Sequence, residues 1–148
     1  MSLVINVADA VKVELNAAPE GTFSLAFIAE RRVLPEFELK DLTELKVTVV
    51  PKRLEITGAT RAASQYEITI DIGVQKKLTP GSGDVDTKVT ALLTLVDQIA
   101  DYLRRRPLID LPGVTWVSIA NDPVYAPEHL FEKRVFTSIL TATYRAMK

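Results

Sequence analysis

Residues 66–74, Tyr66-Glu67-Ile68-Thr69-Ile70-Asp71-Ile72-Gly73-Val74, alternate strictly between apolar and polar positions. In an extended chain Tyr66, Ile68, Ile70, Ile72 and Val74 fall on one side and Glu67, Thr69, Asp71 and Gly73 on the other. Such a strand has one buried face, and a second face that is wet or meets a partner. Just upstream, Leu45 to Val50 form another alternating run, which Pro51 is expected to stop because it has no N–H to donate. Between the two runs, Lys52 to Ser64 carries Lys52, Arg53, Arg61 and Gly58 among small residues and shows no sustained period. It reads as a hairpin arm or a mobile loop, with too little apolar content to order unaided.

Further upstream, Asn6 stands where an N-cap would, with Asp9 three positions on. Val7, Val11 and Leu15 then recur at helical spacing until Pro19 and Gly21, which predicts a helix over 7–17. Phe23 to Ile28 reads as a strand, closed by Glu30, Arg31, Arg32 and Pro35. Downstream, Lys76 and Lys77 lead into a turn cluster at 79–83. There Asp84 caps a long helix over 85–105 whose apolar positions, Val85, Val89, Leu92, Val96, Ile99 and Leu103, step by three and four. Acids at its start and Arg104, Arg105 and Arg106 at its end suit the helix dipole, and Pro107 halts it. Val114–Ala120 and Val135–Tyr144 read as strands, with a loop bracketed by Asp122-Pro123 and Ala126-Pro127. The expected fold is α+β: a mainly antiparallel or mixed five-stranded sheet with two helices packed on one face. The 148 residues suit a single domain carrying the 52–64 arm.

Composition narrows the function classes. With 47% apolar and 25% charged residues the chain is globular rather than disordered, and 18 basic against 19 acidic side chains give a net charge of -1. That balance lacks the positive field of a dedicated nucleic-acid binder. The absence of cysteine rules out disulfides, cysteine-ligated metals and thiol catalysis. No apolar run approaches the roughly 20 residues of a membrane span, and no signal sequence opens the chain. A soluble product of the cytoplasm is expected.

Catalytic patterns are sparse. His129, the one histidine, follows Glu128 and could shuttle a proton, but a solvated or capping loop residue explains it as well. With no second His and no HExxH, no metal site is expected. Asp97 and Asp101, four apart on the long helix, lie opposite its apolar stripe and read as a solvated face. Glu36 and Glu38 alternate with Phe37 and Leu39 and read as an exposed edge. Gly81-Ser82-Gly83 lacks the lysine of a phosphate cradle and reads as a turn before the cap. Arg104 to Arg106 could touch DNA, although a helix C-terminal role and nearby Asp101 and Asp110 account for them. Trp116 and Phe136 could stack a ligand, but strand aromatics are more often core.

The chain resembles the tail terminator, or tail completion, proteins of long-tailed bacterial viruses and related prophage minor tail proteins. The likeness is carried by Asp9-Ala10-Val11 with Leu15-Asn16, by Ala29-Glu30-Arg31 with Pro35 and Phe37, and by Leu39-Lys40-Asp41-Leu42 before Val47-Thr48-Val49-Val50-Pro51. It continues through Tyr66 to Lys77, Leu95 to Leu103, Asp122-Pro123, Tyr125, Pro127 to Leu130, Phe136 to Leu140 and Thr143-Tyr144-Arg145. The resemblance implies a non-enzymatic virion component, assembled in the bacterial cytoplasm. It would cap the tail tube, end tube growth and offer a docking surface to the head–tail connector. It also implies a six-fold ring in the assembled tail, which need not form in isolation, with no cofactor, no membrane partner and no specific nucleic acid. A ring requires a head-to-tail contact that closes after a fixed rotation. The candidate interface residues are Arg53 and Arg61 on the arm, Glu67, Thr69 and Asp71 on the wet strand face, and Asp97 and Asp101 on the helix. A DNA-contacting connector and a small ligand-binding or enzymatic domain are the alternatives.

Overall fold

A computed structural model of the chain describes residues 2–33, 41–78, 84–122 and 124–148, and only the backbone at 41 and 131–133. Helix α1 runs Leu3–Asn16, followed by strand β1 (Ala29–Arg31), a 3₁₀ turn (Asp41–Thr43), β2 (Lys46–Gly58) and β3 (Ser64–Lys77). Helix α2 (Val85–Leu103), β4 (Val114–Asn121), α3 (Pro127–Lys133) and β5 (Val135–Met147) complete the chain. The five strands form one sheet in the order β1-β2-β3-β5-β4, with β1 parallel to β2 and every other pair antiparallel. The α+β architecture with a mixed five-stranded sheet is as the sequence implies.

Paired residues on neighbouring strands share a face, so the strand registers sort the side chains. On β3, Ile68, Ile70, Ile72 and Val74 are fully buried. Their partners Tyr144, Ala142, Leu140 and Ser138 on β5, and Val49 and Val47 on β2, lie on the same side. Against this face pack Val7, Val11 and Leu15 of α1 and Leu92, Leu95, Val96, Ile99 and Leu103 of α2, forming one core cluster. The stripes at three- and four-residue spacing are what make each helix amphipathic. The opposite sheet face carries Gln65, Glu67, Thr69, Asp71, Gly73 and Gln75. At its Gly73 end this outer face is also buried: Thr48, Val50, Val135 and Thr137 have little exposure, the 3₁₀ turn contacts β3, and α3 contacts β5.

Several expected boundaries move. The first helix starts four residues earlier than the Asn6 reading, with Ser2 as N-cap, its Oγ accepting from the Ile5 N–H at 3.5 Å. Phe23–Ile28 is not a strand. Phe23 instead lies tilted against Phe27 (5.0 Å between centroids) and edge-on against Tyr102 of α2 (5.5 Å), while the Ser24 N–H donates to Gln98 Oε1. The strand follows at Ala29–Arg31, where the Asn16 side chain both donates to the Ala29 carbonyl (3.0 Å) and accepts from its N–H (2.7 Å). That pair mimics a strand partner and, with the Arg31–Asp9 ion pair at 2.9 Å, fixes β1 to α1.

Pro51 does not end β2. It sits where the β2–β3 register slips between Pro51 and Arg53, beyond the Val47–Val49 stretch that β1 covers. A proline is tolerated at such a bulge or edge because no ladder donor is lost there. The strand therefore continues to Gly58, and its far half pairs with the start of β3, which pairs in turn with the end of β5, so that residues 52–58 are part of the sheet. The expected loop before β5 contains a third helix, α3, with Pro127 at its first turn, a position where the missing N–H costs nothing. The Asp84 cap is as expected, its Oδ1 accepting from the Asp86 N–H at 3.2 Å, and α2 ends at Leu103. Glu36, Glu38 and the Gly81-Ser82-Gly83 turn lie outside the described residues.

Candidate assembly surface

Alternation along β3 sends Glu67, Thr69 and Asp71 away from the core, and the register places Arg53 of β2 opposite Thr69 and Thr143 of β5 beyond it. Four of the candidate residues, Arg53, Glu67, Thr69 and Asp71, therefore share one sheet face. Their charges are met locally. Asp71 Oδ1 accepts from the Thr141 hydroxyl at 2.7 Å and lies 3.5 Å from Lys52 Nζ. Glu67 lies 3.5 Å from Arg145 on the neighbouring strand, and Arg53 pairs with Glu55. Partly exposed pairs of this kind contribute about 0–1 kcal/mol each. The face thus interleaves acid and base with threonine hydroxyls and does not concentrate one sign of charge.

The other three candidates lie elsewhere. Arg61 sits in the turn of the β2–β3 hairpin, where Thr60 Oγ1 accepts from the N–H groups of Ala62 and Ala63. Asp97 and Asp101 are exposed on α2, which packs on the opposite side of the sheet. The strand face and the helix face are consequently two surfaces, not one.

The arginine run is also divided. Arg106 stacks over the Tyr102 ring at 3.8 Å, donates Nε–H to the Tyr102 carbonyl at 2.9 Å and lies 3.9 Å from the buried Glu14 carboxylate. Arg105 adopts a left-handed backbone, φ 58°, in the turn that redirects the chain after α2. Only Arg104 and Arg105 project outward. Arg106 is a tie between α2 and α1, a role that spacing alone did not reveal because Glu14 is distant in sequence.

His129 lies in α3 rather than in a loop, and its Nδ1 is 3.0 Å from the Thr137 hydroxyl, which also accepts from Gln75 Nε2 at 3.4 Å. Glu128 beside it is exposed. The contact fastens α3 to β5, together with the Ala126 N–H donating to the Thr137 carbonyl at 2.9 Å. Among the described residues no group of three or more His, Asp or Glu side chains could hold a metal ion, and no helix is long and apolar enough to cross a membrane. Tyr144, in the core, has its phenol pushed well above the ordinary range, first by burial and then by the negative charge of Glu14. Its hydroxyl is buried and has no hydrogen-bond partner. Phe136 is fully buried, as strand aromatics usually are.

Open clefts flank the start of β4. One, of about 290 Å³, is lined by Arg105, Arg106, Pro107, Pro112, Val114 and Trp116. Another, between Thr115, Trp116, Val117, Arg145 and Met147, encloses about 490 Å³. Trp116 stands between them with its indole N–H buried and unpartnered. Sequence reasoning named Trp116 only as a stacking or core residue; its place beside a free sheet edge depends on strand order, which is non-local. No protein-family model matches the chain, and no curated protein sequence is significantly similar to it.

Proposed function

We propose that this chain is a structural tail terminator of a long-tailed bacterial virus, working through surfaces rather than through catalysis. Its partners are the tail-tube protein on one side and the head–tail connector on the other. The observation that carries the reading is the architecture of the sheet. Helices α1 and α2 bury one face, while Arg53, Glu67, Thr69 and Asp71 stand on the other with interleaved charge. The far half of β2 forms one side of that sheet, with Leu54 and Ile56 exposed on it. A protein that must stop a growing tube needs broad, polar, self-limiting contacts of this type, and the sequence resemblance points to the same task.

Co-sedimentation with preassembled tubes of the cognate tail-tube protein tests the proposal. The chain should pellet with the tubes and saturate in proportion to the number of tube ends, so that shearing the tubes raises the bound amount. A chain that stays in the supernatant, or that binds in proportion to tube mass, overturns the reading.

A further inference from the structure

We infer that copies of this chain join edge to edge, the outer edge of the β2 arm of one copy pairing antiparallel with β4 of the next to make one continuous sheet. The inference deepens the proposed function by naming how the copies meet.

Among the described residues neither edge has a strand partner, and their polarities fit. β1 covers β2 only at Val47–Val49, so among the described residues no strand pairs with the outer edge of β2 from Lys52 to Gly58, nor with the outer edge of β4. Strand directions alternate from β2 through β3 and β5 to β4, so a β2 placed beside β4 with the same face toward the helices runs antiparallel to it. The levels fit as well. Ile56 is aligned through Tyr66 and Ala146 with Val114, and Leu54 through Ile68 and Tyr144 with Trp116. At the far end, Val49 is aligned through Ile72 and Leu140 with Asn121. Val114–Ser118 of an incoming β4 therefore lie beside Arg53–Ile56, while Asn121 reaches the level at which Arg31 of β1 already pairs with Val49, so the junction is confined to the first half of β4.

The side chains agree with this docking. Natural sheets usually guard a free edge with charge, proline or a bulge, and Pro51, Lys52 and the register slip do so at the base of the arm. Farther out the protection lapses: Leu54 and Ile56 are 43% and 52% exposed, on the face that the core occupies elsewhere. On the other edge that same face presents the cleft formed by Pro107, Pro112, Val114 and Trp116. Pairing at level sets Leu54 beside Trp116 and Ile56 beside Val114, placing the exposed apolar side chains on that cleft. A contact between two different edges is heterologous and propagates, into a ring where the rotation per copy closes and into a filament where it does not, and addition of a strand to an edge is a common recognition mode.

Thiol capture tests this on the purified chain alone, which has no cysteine of its own. Glu55 and Thr115 stand at one level on the polar face, through Glu67 and Arg145, so Glu55→Cys and Thr115→Cys bring two thiols within disulfide reach across the junction. Mixed and oxidised, the two single variants should yield a crossed dimer at least about ten times faster than Glu55→Cys mixed with Asp97→Cys, since a specific contact raises the local thiol concentration. The double variant Glu55→Cys/Thr115→Cys should give a ladder of covalent oligomers ending in one closed species by native mass spectrometry. Leu54→Lys/Ile56→Lys in the same background should abolish the ladder while leaving circular dichroism unchanged. Capture no faster than with Asp97→Cys, or a dominant Glu55→Cys homodimer, overturns the inference. Neither result bears on tube binding, so failed capture with intact end binding removes this inference alone, and the converse removes the proposed function alone.

Discussion

Leu54 and Trp116, on the two outer edges of one sheet, stand at the same level, linked row by row through the buried pair Ile68 and Tyr144. In the edge pairing inferred above, this alignment matches one edge to the other in height, polarity and hydrophobic face. A flat sheet with such edges would aggregate without limit, but the register slips at Pro51/Arg53 and Trp116/Ser118 add local twist at both edges. The rotation that this twist sets from one copy to the next decides between a closed ring and a helical filament.

Because Leu54 and Ile56 are exposed, replacing both with lysine should leave the folded chain almost as stable as before, within about 0.5 kcal/mol by urea denaturation. The same variant should lack the concentration-dependent emission shift of Trp116, the chain's single tryptophan, expected when wild-type edges pair. A loss of stability as large as that of a core substitution would show that the arm packs within its own chain.

The Tyr144 hydroxyl is buried without a partner, and burial followed by the Glu14 charge raises its proton affinity. Tyr144→Phe should therefore stabilise the chain, by about 1 kcal/mol near neutral pH, since it removes an unsatisfied polar group with little change in shape. Below the ordinary phenol value of about 10 both folded and unfolded states hold the proton, so this group gives no pH dependence there. As pH rises past that value the unfolded state releases the proton and the folded state does not, and stability falls. Denaturation midpoints compared at about pH 8 and about pH 11 should show a smaller alkaline loss in Tyr144→Phe than in wild type.

Arg106 meets the Glu14 carboxylate at the seam between α1 and the turn after α2. Arg106→Ala leaves a buried carboxylate without its cation and should cost about 2 kcal/mol, read as a lower urea midpoint. Adding Glu14→Gln removes the stranded charge and should return a large part of that loss, whereas additive losses would mean that the two side chains do not act together.

Gly73 faces Thr48 across the β2–β3 ladder, and a methyl group at position 73 would come within 3.0 Å of the Thr48 hydroxyl oxygen, which is buried and unpartnered. Gly73→Ala should cost about 1 kcal/mol in the wild-type background. In a Thr48→Ala background that cost should vanish, and the double-mutant cycle measured by thermal denaturation gives the coupling directly.

Much of the sheet was legible because period-two alternation is a local signal. Ile68, Ile70 and Ile72 announce the central strand without reference to the rest of the chain, and Asp84 announces α2 by its place before an amphipathic run. What escaped depended on tertiary partners. Ala29–Arg31 has no alternation of its own and becomes a strand only because Asn16 and Val47–Val49 flank it. Phe23 and Phe27 mimic a strand in composition but serve as packing against Tyr102. Pro127 read as a breaker although it starts α3, since no side chain caps that helix. Among the site residues, alternation correctly grouped Glu67, Thr69 and Asp71. The separation of Asp97 and Asp101 onto the other side, and the matching of the two free edges, follow only from the strand order β1-β2-β3-β5-β4.

The most direct measurement is the growth of cognate tail tubes, followed by electron microscopy, with the wild-type chain or the Leu54→Lys/Ile56→Lys variant present. Wild type should arrest elongation, leaving short tubes with added density at one end, while the variant, folded but unable to join its neighbours, should leave tubes growing as if nothing had been added. Tubes that elongate equally in both cases, or a variant that arrests growth as well as wild type, would contradict it.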